Sequence, residues 1–391
     1  MILVMIAPML RTQSTYYEFF AGGGMARAGL GQGWSCVFAN DYDPAKAASY
    51  RANWGGEEFH LGDVADLSVE DLPGTADLAW ASFPCQDLSL AGRGGGLKGA
   101  RSGAFWSFWR LMEKLAAGGR APRLIGLENV CGTLSSRGGA DFVALCEALS
   151  AGGYRYGALV VDAARFVPQS RPRLFVVALR RDRAFSAELT AREAPKAWTT
   201  TALQEAYGRL PAALRRDWIW WRLPTPTAAR PALADLLDPD DQCAWNDAAQ
   251  TQRLLAMMTP VNRAKVDAAR ARRARSVGAL YKRIRSEPSG ARVQRAEVRF
   301  DGLAGCLRTP AGGSSRQSLL VVEGDVVRSR LISPRETARL MGLADDYILP
   351  DRPNAAYHLT GDGVVAPLVR HLAAALLEPV LSFDRRARRA A

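Results

Sequence analysis

Two residues of this chain have the type and setting of a nucleophile and an acid. Cys85, in A-S-F-P-C-Q-D-L-S, follows the apolar run Leu78–Ser82, and Pro84 stiffens the turn between them. A thiol just past the carboxyl end of a strand stands where α/β enzymes bind ligands. Glu128, in L-I-G-L-E-N-V, ends the next apolar run in the same way. Arg171 and Arg173 alternate with Pro172 at the entry of a later run, so both point to one face. Two parallel guanidinium groups there suit a carboxylate, a phosphate or a base edge. The glycine-rich S-L-A-G-R-G-G-G-L-K-G after Cys85 suits a loop that closes over substrate. Taken singly, each feature has a plainer reading: a buried small thiol, a helix-capping acid, a strand-entry ion pair, a flexible loop.

A second constellation suits a nucleotide. Y-Y-E-F-F-A-G-G-G-M-A-R-A-G-L runs from a strand through Gly22, Gly23 and Gly24 into a helix, which allows close backbone approach to a ligand. Asp41 ends the next strand in A-N-D-Y-D, where a carboxylate can accept from both ribose hydroxyls. Tyr42 beside it can pack on an adenine, and Asp63 in G-D-V can reach the adenine amino group. The spacing is not G-x-G-x-x-G, so the expected ligand is an adenosine-bearing cofactor other than a dinucleotide.

The elements that must carry these residues read as strand–helix alternation over residues 16–180. Apolar runs recur at Tyr16–Phe20, Cys36–Asn40, Leu78–Ser82, Leu124–Glu128, Leu159–Val161 and Leu174–Leu179. Helical stretches lie between them at Gly24–Gly31, Pro44–Trp54, Phe105–Ala117 and Ala140–Ser150. This predicts an α/β fold with a doubly wound sheet. After Arg180 the alternation fades into an Ala-, Arg-, Pro- and Trp-rich stretch. Trp218, Trp220 and Trp221 are expected in the core of a smaller domain, and Arg263–Leu280 as a basic helix. Short β-like runs follow over 298–332. Ser333-Pro-Arg-Glu336 is a capping box opening a new helix. An apolar helix, Val365–Leu377, should stop before Pro379 and leave R-R-A-R-R-A-A as a frayed basic tail. The expected domains are 1–182 for catalysis and cofactor, 183–330 for target recognition, and 331–391 as helices returning to the first.

Composition bounds the partners. The 391 residues are 48% apolar and 23% charged, which excludes wholesale disorder. No apolar run reaches about 18 residues, so no membrane span is expected. The opening M-I-L-V-M-I-A-P-M-L lacks a basic start and a cleavage site, and reads as a leader before the first strand rather than a signal peptide. The net charge is +12, and residues 261–300 hold twelve Lys/Arg against three acids. That concentration favours a polyanionic partner, nucleic acid first. Six scattered cysteines without a C-x-x-C pair predict neither a metal site nor a disulfide framework, and suit a reduced cytoplasm.

The ordered set F-A-G-G-G, N-D-Y-D, G-D-V, F-P-C-Q-D-L-S, E-N-V, Q-S-R-P-R, R-L-I-S-P-R-E-T-A-R-L-M-G-L and G-D-G-V resembles the DNA cytosine-5 methyltransferases. The resemblance covers about residues 16–180 and 303–380, and implies a Rossmann-like methyltransferase sheet with a smaller target recognition domain. It implies Cys85 as the nucleophile that adds to carbon 6 of a flipped-out cytosine, Glu128 at ring nitrogen 3, and Arg171 and Arg173 on the base carbonyl or orienting Glu128. S-adenosyl-L-methionine would lie over Phe20, Ala21, Gly22, Gly23, Gly24, Met25, Asp41, Tyr42, Asp63, Val64, Pro84, Asp362 and Gly363. Gln86, Ser89 and Arg93 of the mobile loop, with Thr309, Gly312, Gly313, Ser314 and Arg316, would touch DNA. Met25 stands where the family more often has glycine, and G-D-G-V replaces the commoner G-N-S-V.

The expected protein is thus a cytoplasmic, nucleoid-associated monomer acting on duplex DNA, either paired with a cognate restriction endonuclease or alone. Two other classes share parts of the pattern. An RNA methyltransferase could use the same scaffold, though the insert before Arg308 is long for one. A DNA-binding protein with a decayed site is opposed by the intact Cys85, Glu128, Arg171 and Arg173.

Overall fold

The computed structural model describes residues 13–84, 103–286, 290–309 and 316–390. The leader, the loop carrying Cys85, Gln86, Ser89 and Arg93, and Gly312, Gly313 and Ser314 lie outside the described residues.

The apolar runs become strands, and the stretches between them helices. In order these are β1 (Ser14–Phe19), α1 (Met25–Leu30), β2 (Trp34–Asp41), α2 (Pro44–Trp54), β3 (Phe59–Leu61), β4 (Leu78–Ala81), α3 (Gly103–Ala117), β5 (Leu124–Val130), α4 (Ala140–Ala151), β6 (Tyr154–Asp162) and β7 (Pro172–Arg180). They form a seven-stranded sheet of order β3-β2-β1-β4-β5-β7-β6. Strands β1 to β5 pair in parallel, and β7 runs antiparallel to both β5 and β6. The strand order reverses between β1 and β4, the switch point where such sheets open a crevice at their carboxyl ends.

Period-2 alternation splits the strands between two cores. Tyr16, Trp80, Phe175 and Val177 face one side, against α1 and the C-terminal helices. Tyr17, Phe19, Ile125 and Val176 face the other, against α3 and α4. Local chemistry marks the helix starts: Asp43 Oδ1 accepts from Ala45 N and Lys46 N at 2.8 and 3.2 Å, with Pro44 at the first position of α2.

The chain continues through β8 (Thr190–Ala191), α5 (Thr201–Arg209), α6 (Ala212–Arg215) and β9 (Trp220–Trp221). These pack on the large sheet. Ile219 N donates to Tyr156 O at 2.7 Å, and Trp221 Nε1 donates to Val177 O at 3.0 Å. Trp221 is buried in the large core together with Trp198, and not in a small domain as expected. Trp218 and Trp220 pack against Tyr207 of α5 with tilted rings. The second core begins later than residue 183, with α7 (Ala248–Ala256), α8 (Pro260–Ala271), β10 (Ser276–Ser286), β11 (Arg292–Arg299), β12 (Ser318–Glu323) and β13 (Val326–Leu331). Composition shifts at residue 183, but composition does not say which core a tryptophan joins.

This second sheet is antiparallel, of order β11-β10-β12-β13. The expected basic helix ends at Ala271, and Ser276–Leu280 is instead a strand paired with β12. Beyond Leu280 the β10–β11 pair extends past β12 as a two-stranded ribbon carrying Lys282, Arg283, Arg285 and Arg292.

The chain returns through α9 (Pro334–Leu340), α10 (Pro353–Asp362), α11 (Ala366–Leu372), a π-helical stretch Ala373–Leu377, and α12 (Glu378–Ala390). The helix therefore does not stop before Pro379. The widened π turn lies directly before the proline, and the helix runs on through it without a break. The basic tail is helical rather than frayed, and Arg385 Nη2 donates to Ser14 Oγ at 2.6 Å. By length and composition Pro353–Arg389 could cross a membrane, but 61% of its most apolar window is buried against protein.

One buried ion pair joins the two sheets' return path. Ser333 and Glu336 form the expected capping box, and Glu336 also takes Arg330 Nη1 and Nη2 at 2.7 and 2.6 Å. Both partners are almost fully buried. Glu336→Ala leaves the guanidinium uncompensated and should lower unfolding free energy by about 3–5 kcal/mol. The double variant Arg330→Met/Glu336→Leu should recover most of that loss in urea denaturation, because the removed pair also paid a desolvation cost.

Candidate active site

The turn after β1 is built by unusual backbone. Phe20 has φ 57°, a left-handed conformation rare for a non-glycine residue, and Gly22 and Gly24 have φ 57° and 77°. Such strain clusters at ligand sites. A Cβ added to Gly22 would meet nothing within 4 Å, so the turn is open on that side. Its other side is clamped. The Gly23 carbonyl accepts from Tyr347 Oη at 2.7 Å and Trp54 Nε1 at 2.9 Å, and Ala21 N donates to Asn40 O at 2.9 Å. Met25 fills the space against Gly363, where a Cβ would lie 2.1 Å from its sulfur.

The expected cofactor acids divide their work differently from the sequence reading. Asp41 is 5% exposed and spends both oxygens on the backbone, accepting Gly22 N at 2.8 Å and Asp43 N at 2.9 Å. It braces the turn through these contacts, with one further lone pair left on each oxygen. Tyr42 is 65% exposed beside it. Asp63 caps a short 3₁₀ turn through Ala65 N at 2.8 Å, and Val64 is buried in the core. Asp362 ends α10 and pairs with Lys46 Nζ of α2 at 2.7 Å. Lys46, Trp54 and Tyr347 were missed by sequence reasoning, because their partners lie up to 324 residues away.

The second half of the site spans the ends of β4, β5 and β7. Ala81 of β4 pairs with Leu127 of β5, which sets Ser82, Phe83 and Pro84 beside Glu128. Asn129 Nδ2 donates to Phe83 O at 3.3 Å and braces that turn. Glu128 is buried and lies 3.2 Å from Arg173 Nε. Burial pushes its carboxyl above the usual range, against the opposing pull of Arg173, Arg171 and Ser82.

Arg171 does not reach for a base. It is 2% exposed, and its guanidinium donates to Leu307 O (2.9 Å), Gly361 O (2.8 Å) and Gly363 O (2.7 Å). Its sequence reading as a base or carboxylate ligand is thus corrected to that of a strut. Buried Gln169 works beside it, donating to Leu340 O at 2.8 Å and accepting from Leu307 N at 3.1 Å. The motif Q-S-R-P-R contained this glutamine, but its partners are tertiary. Thr309 N lies against Gly361, whose Cβ would meet it at 2.7 Å. Arg316 packs over the Tyr357 ring and hydrogen-bonds Asn354.

Glu18 lies under the glycine turn with both carboxylate oxygens lacking a partner among the described residues. Burial pushes its pKa from 4.5 to about 8; Arg27 opposes this, and Glu58 and Asp41 add to it. The folded chain holds this proton more tightly than the unfolded one, so this group makes stability fall as pH rises from about 4.5 to about 8. Glu18→Gln should flatten that slope, read as urea midpoints across this range, and should stabilise the fold most above pH 8.

The family model for C-5 cytosine-specific DNA methylase matches residues 14–378. The chain is 26% identical to the type II methyltransferase M.NlaX of Neisseria lactamica over 91% of this chain and 94% of that one. It is 23% identical to M.HhaI of Haemophilus parahaemolyticus over 92% of each. A match to M.BsuFI of Bacillus subtilis is 33% identical but spans 43% of this chain and 40% of that protein. The fold is similar to that of the Entamoeba histolytica methyltransferase EhMeth (TM-score 0.62, 14% identity, 94% and 98% coverage). It is also similar to S. pombe Dnmt2 (TM-score 0.55, 17% identity, 94% and 99% coverage). A glycine turn at the first strand's end, an acid and an arginine meeting two strands away, and a family match over nearly the whole length agree: the chain belongs to the C-5 cytosine-specific DNA methylases, which transfer a methyl group from S-adenosyl-L-methionine to cytosine in DNA.

Proposed function

We propose that the chain methylates cytosine within one specific duplex sequence through a transient covalent bond from Cys85 to a base turned out of the helix. The observation that carries this reading is Glu128: a buried carboxyl biased toward its protonated form, held by Arg173, at the strand end next to Pro84. Carbon 5 of cytosine is a weak nucleophile. Addition of the Cys85 thiolate to carbon 6, with Glu128 delivering a proton to ring nitrogen 3, leaves an enamine whose carbon 5 can attack. Once carbon 5 carries the methyl group, loss of its proton to a base expels the thiolate, and return of the nitrogen 3 proton to Glu128 restores the neutral ring and the acid. Reaching these atoms requires the base to leave the stack.

The turn Phe20–Gly24 fits the methyl donor, with an open side at Gly22, an exposed Tyr42, and the unpartnered Glu18 carboxyl beneath. When bound, the donor supplies an electrophilic methyl group. The protein's part is to hold it at the ends of β1 and β2, beside β4 and the turn that leads to Pro84.

Target reading is assigned to the second sheet. Its ribbon of Tyr281–Ser286 and Arg292–Glu297 has the width that the major groove admits, and it carries Lys282, Arg283, Arg285 and Arg292. Arg283 and Arg285 lean on Glu297, which orients them along one face. The type II relatives support pairing with a restriction endonuclease, and we read the enzyme as a monomer.

Purified protein with labelled methyl donor and duplex DNA should label cytosine at carbon 5 at one sequence; an intact fold with no transfer contradicts this reading. Cys85→Ala should abolish transfer while retaining donor binding, and Glu128→Gln should lower kcat by roughly 10²–10⁴. Lys282→Ala and Arg283→Ala should each weaken binding alike on all sequences and lower the salt slope by about one where the contact is to phosphate.

A further inference from the structure

Strand β12 pairs with β10 only as far as Leu280, so residues 281–286 and 292–297 run on as a ribbon about 20 Å long. Side chains alternate along each strand, and directly paired residues share a face. The register therefore sorts the ribbon into two faces of different character. One carries Tyr281, Arg283 and Arg285 with Glu297. The other carries three cross-strand rows: Lys282 with Ala296, Ile284 with Gln294, and Ser286 with Arg292.

The first face is engaged with itself. Arg285 Nε lies 2.5 Å from Glu297 Oε1, and Arg283 Nε lies 3.7 Å from Glu297 Oε2. Arg283 also covers the Tyr281 ring at 5.3 Å. The second face holds no acid among the described residues, and there Lys282, Gln294 and Arg292 make no hydrogen bond or ion pair. Ile284 is 55% exposed at its centre, although the same alternation buries Leu280 and Val298 in the second core.

We propose that Ile284 and Gln294 are specificity-determining residues, and that their face of the ribbon reads an A·T pair in the major groove of the target. This rests on the reading of the ribbon as the element that meets DNA. A single exposed isoleucine is ordinary by itself. This one stands directly opposite an unengaged amide, with Cβ atoms about 5 Å apart, close enough to address one base pair. An amide presents a donor and an acceptor together, which matches N7 and the N6 amino group of adenine at once. An alkyl group matches the thymine methyl, a feature that only an A·T pair offers. Lys282 and Arg292 flank the pair one row away on either side, about 7 Å along the strands. Free cations there suit the phosphates that border the groove, contacts that fix register and carry no sequence information.

The test selects duplexes bound by the full chain from a randomised pool, without methyl donor, so the readout does not depend on transfer. The wild type should select an A·T pair at one fixed position. Gln294→Ala should relax the preference there by about 5- to 150-fold and leave other positions and the salt slope unchanged. Gln294→Arg should move the preference at that position to G·C, a gain that a misfolded variant cannot imitate. Deoxyuridine in place of the thymine should weaken wild-type binding and leave Ile284→Ser indifferent. A selected sequence without an A·T pair, or a preference that Gln294→Ala leaves intact, overturns the proposal. Wild type that selects this pair yet methylates no cytosine would refute the proposed function and leave this inference standing. Wild type that methylates one sequence, with a preference untouched by Gln294→Ala, would do the reverse.

Discussion

The buried guanidinium of Arg171 ties together three stretches of chain that the sequence keeps far apart. It stands at the entry of β7, binds the Cys306–Leu307 segment coming from the second sheet, and binds Gly361 and Gly363 at the end of α10. The planar fork suits this task, since two terminal nitrogens can serve carbonyls on different segments at once, whereas lysine offers a point charge. Gln169 repeats the device two residues earlier, joining Leu340 to Leu307. The glycine turn, Glu128 of β5 and the second sheet are therefore fixed relative to one another through a small set of buried polar contacts.

That arrangement explains why the two halves of the site sit one strand apart. The sheet order reverses between β1 and β4, so the crevice opens between the glycine turn and the Pro84 turn. The α9–α12 return closes the crevice from one side: Tyr347 holds Gly23, Lys46 holds Asp362, and Met25 meets Gly363. The departures at Met25 and Asp362 thus compensate locally. The methionine sulfur occupies the space that Gly363 leaves open, and the aspartate finds a lysine on α2.

Buried charge is distributed unevenly, and this has chemical consequences. Glu128 and Glu18 are both pushed upward by burial, yet Glu128 has an arginine at 3.2 Å and Glu18 has no hydrogen-bond partner among the described residues. Arg330 and Glu336 neutralise each other and dock the returning helix, whose start Glu336 also caps. The same physical term, desolvation, thereby yields a candidate acid in one place and a structural joint in another, according to what stands opposite.

The alternation of apolar runs determined β1, β2, β4 to β7 and α1 to α4 to within a few residues, because burial on both faces of a sheet needs continuous apolar segments. Short-range rules likewise placed the Ser333 capping box and the glycine turn, since each is decided within three or four residues. Glu128 and Arg173 were legible as candidates because both follow from apolar runs that become neighbouring strands, β5 and β7. What tertiary structure alone decided is which core Trp198 and Trp221 join, that Ser276–Leu280 pairs as a strand, and that the last helix passes Pro379. It also decided that Asp41 and Arg171 serve the backbone. The reason is range: periodicity and capping are written in neighbouring residues, whereas a buried polar group takes its role from whichever donor or acceptor the fold brings to it, 19 positions away for Asp41 and Gly22 and 190 for Arg171 and Gly361.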